Sequence, residues 1–189
     1  MSKKYLTHIN YKWPKEKLLK RFHEKFDTMD EWVPEDTVAN DWGINNPITG
    51  LYVNMDEVFV DPVLREIGDD FCKYFGIDYS GGFDTYATQF MGSRPGVTIP
   101  WHSDNAPTKC NVNVLLSNSN SSVVFKNNMD DDDSTSTTID YNTALLNVAR
   151  PHKVVNNENE MRILFRMVFV SPECTYEALK EKIDAKSSN

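Results

Sequence analysis

The run Cys110-Asn111-Val112-Asn113-Val114-Leu115-Leu116-Ser117 decides how the chain is read. Asn111, Asn113 and Leu115 alternate with Val112, Val114 and Leu116. A two-residue repeat of this kind marks a strand whose side chains point to opposite faces. Working outward, the texture continues on both sides. Residues 83–91 read as a strand, 92–96 as a loop and 97–104 as an extended segment. Downstream, residues 122–126, 142–148 and 161–170 read as further strands.

The N-terminal part has a different period. Pro14 suits a first helical turn, and Leu18, Leu19, Phe22 and Phe26 recur at helical spacing, which predicts a helix over 14–28. His23 on that helix reads as a surface residue. A second helix is predicted over 61–75. Asp61 is its cap, Pro62 its first turn, Val63, Ile67, Phe71 and Phe75 its apolar face, and Gly76 its stop. Such a one-sided helix needs a sheet to cover. Residues 30–54 are rich in turn formers, and Trp32 and Trp42 are expected to pin that stretch to the core. Residues 127–138 contain Asp130 to Asp133 in succession. A calcium loop would space its carboxylates at alternate positions around a glycine, so a solvated hairpin tip is expected instead. A short amphipathic helix is expected over 175–183.

Helices first and short strands after define an α+β chain, mainly β, whose sheets form a sandwich or barrel. A length of 189 residues fits a single domain. Within it, 1–80 form a helical and irregular support, 83–170 the β core, and 172–189 a C-terminal helix and tail.

Composition narrows the function classes. With 40% hydrophobic and 12% aromatic residues the chain can bury a core, which sets it apart from disordered sequences. A net charge of −8 argues against a broad, non-specific grip on nucleic acid. Cys72, Cys110 and Cys174 offer no C-x-x-C pair, so free thiols in a reducing compartment are expected. No apolar signal core follows Met1-Ser2-Lys3-Lys4-Tyr5, and no apolar run approaches the roughly 20 residues that cross a bilayer. A cytoplasmic protein without membrane contact is the expectation.

Chemistry concentrates in Ile99-Pro100-Trp101-His102-Ser103-Asp104 and Ala149-Arg150-Pro151-His152-Lys153-Val154. In an extended strand His102 and Asp104 present an imidazole and a carboxylate on the same side. Alone, this pair is a weak signal that chance supplies often, and it also fits a turn histidine beside a solvated aspartate. His152, at the end of another strand-like run, supplies a second imidazole. Two histidines and one carboxylate form the facial triad that holds Fe(II) while leaving positions open. In the last strand, Met161, Ile163, Phe165, Met167 and Phe169 make one face, and Arg162, Leu164, Arg166, Val168 and Val170 the other. Arginines in an apolar strand need an anionic partner. One of them can bind a ligand carboxylate in bidentate fashion, or both can sit at a sheet edge beside Asp or Glu. Trp101, on the other side of its strand from His102, reads as a packing residue.

His102-x-Asp104, the distal His152 and Arg162 together resemble the signature of the Fe(II)/2-oxoglutarate-dependent dioxygenases. The resemblance covers about residues 86–170. The text around Ile-Pro-Trp-His-Ser-Asp-Asn and Cys-Asn-Val-Asn-Val-Leu-Leu is most similar to the aspartyl/asparaginyl- and prolyl-hydroxylase-like branches. The resemblance implies a double-stranded β-helix (jelly-roll) core with the N-terminal helices packed on one sheet. It implies Fe(II) held by His102, Asp104 and His152, 2-oxoglutarate as co-substrate, and O2. Arg162 would bind the distal carboxylate of 2-oxoglutarate. Tyr86 and Asn113 would hydrogen-bond the co-substrate, and Arg166 would replace Arg162 or bind an acidic substrate group. The implied activity is hydroxylation of a peptidyl or small-molecule substrate, with release of succinate and CO2. The alternatives are a non-catalytic jelly-roll binding module and a cupin-like metalloenzyme that does not use 2-oxoglutarate.

Overall fold

The computed structural model describes residues 4–26, 51–53, 61–104, 108–118 and 122–187, with only the backbone given at 51–53. Most of the turn-rich stretch 30–54, including Trp32 and Trp42, lies outside the described residues. The elements run β1 (Leu6–His8), α1 (Lys15–Phe26), β2 (Leu51–Val53), α2 (Pro62–Phe75), β3 (Tyr86–Ser93), β4 (Thr98–His102), β5 (Cys110–Leu115), β6 (Ser122–Phe125), β7 (Thr137–Asp140), β8 (Thr143–Leu146), β9 (His152–Val155), β10 (Arg162–Phe169) and α3 (Tyr176–Ser187).

The strands form two antiparallel sheets, one ordered β1-β8-β5-β10-β3-β2 and the other β4-β9-β6-β7. From β3 onward the chain crosses repeatedly between the sheets, which is the wiring of a double-stranded β-helix. The larger sheet has both faces covered, so its alternating strands are buried throughout. In β5, Cys110, Val112 and Val114, with Leu116 just past its end, join the core beneath the helices. Asn111 and Asn113 face the smaller sheet, and both are buried. The same parity splits β10 into Ile163, Phe165, Met167 and Phe169 on the helix side, with Arg162, Leu164 and Arg166 inside.

The three helices among the described residues pack on the outer face of the larger sheet through one cluster. Leu18 and Phe22 come from α1, Leu64, Ile67, Phe71 and Phe75 from α2, and Leu179 and Ile183 from α3. Each fully buried aromatic or aliphatic side chain contributes about 1.5–3 kcal/mol. Trp13 stacks on Phe71 with centroids 5.0 Å apart, and meets Phe165 edge-on at 5.8 Å. The start of α2 is held as its sequence predicts. Asp61 accepts hydrogen bonds from the Val63 and Leu64 amides, and Gly76 closes the helix in the left-handed region at φ 64. Asp61 also receives Arg21 Nε at 2.9 Å and Lys25 Nζ at 3.2 Å, which ties α1 to the head of α2.

Several boundaries differ from the sequence reading. β3 continues through Gly92 and Ser93, because both pair with β10. β1 and β7 carry too few alternating residues to register as strands in the sequence; β1 is recruited by β8 and β7 by β6. His152 opens β9 instead of ending a strand-like run, since that run turns at residues 147–150. No helix among the described residues is long and apolar enough to cross a membrane.

Candidate metal centre

His102 ends β4, and its aim depends on an irregularity. Ile99 pairs with Val154 and His102 with His152, so three steps along β4 match two along β9. The extra residue is a β-bulge at Pro100-Trp101, where proline has no amide to give the ladder. The bulge turns both Ile99 and His102 inward, although three positions separate them. Trp101 is sent to the outer face. Asp104 lies just past the strand, where its amide donates to the Val148 carbonyl at 2.9 Å. His152 is brought opposite His102 by direct pairing, and the two rings lie 4.2 Å apart, centroid to centroid.

Hydrogen bonds fix the tautomer of both histidines. His102 Nδ1 lies 2.8 Å from the Pro100 carbonyl and His152 Nδ1 lies 2.9 Å from the Arg150 carbonyl. A carbonyl only accepts, so each Nδ1 carries its proton and each Nε2 keeps a lone pair facing inward. Burial, assisted by the neighbouring His152, pushes the His102 pKa down to about 4. Burial lowers that of His152 as well, against the pull of Asp104. Both rings are therefore neutral near pH 7. Asp104 Oδ1 lies 3.6 Å from His102 Nε2 and 3.8 Å from His152 Nε2. One donor atom from each of the three residues falls within 4.8 Å of the others, close enough to share one ion.

Two further groups line the same cavity. Arg162 donates from Nη2 to the Tyr141 hydroxyl at 2.7 Å, and Asn113 donates from Nδ2 to that hydroxyl at 3.1 Å. Arg166 Nη2 lies 3.5 Å from Asp104 Oδ2, and Asn111 Nδ2 donates to the same oxygen at 3.0 Å. Tyr141 and Asn111 were not singled out in the sequence. The parity of Asn111 with Asn113 was the available signal for one of them, whereas Tyr141 sits in a two-residue turn without a pattern. Among the described residues, Asn111 Oδ1, Asn113 Oδ1 and Arg166 Nε have no hydrogen-bond partner. Polar atoms left so among buried side chains fit a cavity built for a polar ligand. Two neutral imidazoles and one carboxylate, with these groups beside them, fit Fe(II) and an anionic organic ligand.

Tyr86 is not brought to this cavity. It shares its side of β3 with Phe90, and its ring lies in the helix-side core. Its hydroxyl donates to Asp69 at 2.5 Å, and a Cβ at Gly68 would stand 2.6 Å from its ring. From β3 it is Met91, of the opposite parity, that lines the cavity. The aspartate run lies at the mostly exposed tip of the β6–β7 hairpin, as expected, and makes specific contacts there. Asp131 and Asp132 fasten the turn through Asn128 and Ser134. Asp133 reaches back to the outer face of the smaller sheet, accepting from Trp101 Nε1 and Lys153 Nζ at 3.1 Å each. Lys126 and Lys153 stand 4.4 and 4.7 Å from the Trp101 ring.

Fold and donor set together define a double-stranded β-helix protein with a two-histidine, one-carboxylate centre. Comparison with solved structures finds the same architecture. A prolyl-4-hydroxylase from Pseudomonas putida aligns with 88% of this chain and 91% of its own, at 13% identity and a TM-score of 0.55. The non-heme alpha-ketoglutarate-dependent epimerase SnoN of nogalamycin biosynthesis aligns over 88% and 77%, at 11% identity and a TM-score of 0.59. An oxidoreductase of the 2OG-Fe(II) oxygenase family from Burkholderia pseudomallei aligns over 86% and 84%, at 16% identity and a TM-score of 0.53. At these identities the likeness is one of fold. No protein-family model matches the sequence, and no curated protein matches it.

Proposed function

We infer that this protein is an Fe(II)- and 2-oxoglutarate-dependent dioxygenase that hydroxylates a peptidyl or small-molecule substrate. The observation that carries this reading is the convergence of neutral His102 Nε2, neutral His152 Nε2 and Asp104 Oδ1 at one end of a buried cavity. Arg162 stands on the wall of the same cavity. Bound ferrous iron would couple oxidative decarboxylation of 2-oxoglutarate, to succinate and CO2, to oxygen insertion into the substrate. His102, Asp104 and His152 bind the metal. Arg162, steadied by the Tyr141 hydroxyl, is oriented to accept the distal carboxylate of 2-oxoglutarate, and Asn113 supports Tyr141 from the next strand. Ile99, Leu146, Val148, Val154 and Leu164 make the remaining walls apolar and limit water.

Succinate release with Fe(II) and 2-oxoglutarate is the first test. His102→Ala and Asp104→Ala should abolish it. Arg162→Ala should raise the 2-oxoglutarate requirement about ten- to a hundredfold, the worth of one charge-assisted contact of about 1.5–3 kcal/mol. Metal uptake without any effect of 2-oxoglutarate on the site's visible spectrum would favour a cupin-like metalloenzyme. Absence of metal uptake would favour a non-catalytic binding module.

A further inference from the structure

Arg162 and Arg166 share the inner face of β10, yet they keep different company. Arg162 donates to the Tyr141 hydroxyl. Arg166 faces Asp104 Oδ2 at 3.5 Å, and that oxygen also accepts from Asn111 at 3.0 Å. The two donors are diagonal neighbours on adjacent strands, because Arg166 pairs with Asn113 and Val168 with Asn111. Asp104 comes from the opposite sheet, beyond the end of β4, with its amide fastened to Val148. Its carboxylate therefore spans the two sheets. Oδ2 rests on donors of the larger sheet, and Oδ1 is turned to the two histidines.

We propose that Arg166 and Asn111 are positioning residues for Asp104, holding Oδ2 so that Oδ1 alone is presented to the metal. The proposal rests on the metal reading above. A short aspartate side chain past a strand end rotates about two bonds, and its backbone tie to Val148 does not fix either of them. Left free, the carboxylate could grip an ion with both oxygens and occupy a position an organic co-substrate needs. A buried, charge-assisted pair of donors on one oxygen removes that freedom and neutralises part of the carboxylate's charge. The division of labour follows from chemistry. A guanidinium already facing a carboxylate is a poor clamp for a second anion. Arg166 is thus assigned to the protein's own carboxylate and Arg162 to the ligand's.

The test is titration of the purified full chain with Ni(II), a redox-inert probe, by calorimetry, followed by 2-oxoglutarate on the nickel-saturated protein. Asn111→Leu and Arg166→Met should each weaken nickel binding about ten- to a hundredfold, the range found when partners of metal ligands are removed. The nickel-saturated variants should retain their affinity for 2-oxoglutarate. Arg166→Lys, which keeps a donor, should recover part of the nickel affinity, and Arg162→Met should show the opposite pattern of losses. Unchanged nickel affinity in both variants, with 2-oxoglutarate binding lost in Arg166→Met, overturns the proposal and leaves the metal centre standing. A wild-type protein that takes up no nickel overturns the metal reading and this proposal together. If Arg166→Met does not fold, Asn111→Leu, which is close in volume, decides by the same criterion.

Discussion

At the residue scale, the two histidines are held in a state that costs the protein stability in acid. His102 is buried beside His152, and its pKa falls from an ordinary 6.5 to about 4. In the unfolded chain the same ring takes up a proton at about pH 6.5. Between those values the unfolded state binds more protons than the folded one, so stability is full above about pH 6.5 and is lost as pH falls toward 4. Asp61 acts in a lower window. Burial works to raise its pKa, but Arg21, Lys25 and the Leu64 amide outweigh it and leave the value lowered. Its contribution is present above the ordinary carboxylate range and lost only below it. Thermal melts of metal-free protein between pH 8 and pH 5 should therefore show a falling midpoint below about pH 6.5. His102→Gln should flatten that slope. A midpoint independent of pH across this span would mean that the rings take up protons in the folded protein as they do in the unfolded chain.

At the element scale, what was legible in the sequence was whatever repeats. The alternation of β5 placed Val112 and Val114 on one side and Asn111 and Asn113 on the other, and β10 separated its arginines from its aromatics in the same way. Helix α2 was legible because Asp61, Pro62 and Gly76 each act through local backbone chemistry. What was not legible depends on which neighbour an element finds. The bulge in β4 exists only against β9, and the parity of β3 that sends Tyr86 to the helices is set by packing against Gly68. The return of Asp133 onto Trp101 is a contact across 32 positions. The link between α1 and α2 is of the same non-local kind, and it is testable. Asp61 is fully buried and serves both as a helix cap and as the carboxylate for Arg21 and Lys25. Asp61→Ala should cost about 3–5 kcal/mol, as expected when one partner leaves a buried ion pair. Asp61→Asn should cost less, because it keeps part of the cap. Urea unfolding followed by circular dichroism measures both, and near-wild-type stability of Asp61→Ala would show that the cations hold the helices without it.

At the scale of the whole molecule, the larger sheet separates two cores. One lies beneath the three helices and contains Phe71, Phe165 and Phe169. The other lies between the sheets, where Phe125 and Val148 adjoin the side chains of His102, Asp104 and His152. Stability and site chemistry should therefore respond to different substitutions. Phe71→Ala, on the helix side, should cost about 3–5 kcal/mol through the cavity it leaves. The register of β4 with β9 does not involve that core, so its nickel affinity should stay at the wild-type value. A ligand that binds only the folded state adds stability by mass action, about 2.7 kcal/mol at a hundred times its dissociation constant. For a chain of this size that corresponds to a rise in melting temperature of about 5–10 °C. Nickel should raise the midpoint of wild type and of Phe71→Ala by the same increment, 2-oxoglutarate should add a second, and a chelator should reverse both. Asp104→Ala should fold with its helices intact and show neither increment. A smaller nickel shift in Phe71→Ala than in wild type would mean that the helix layer, and not the sheet pairing alone, sets the metal site.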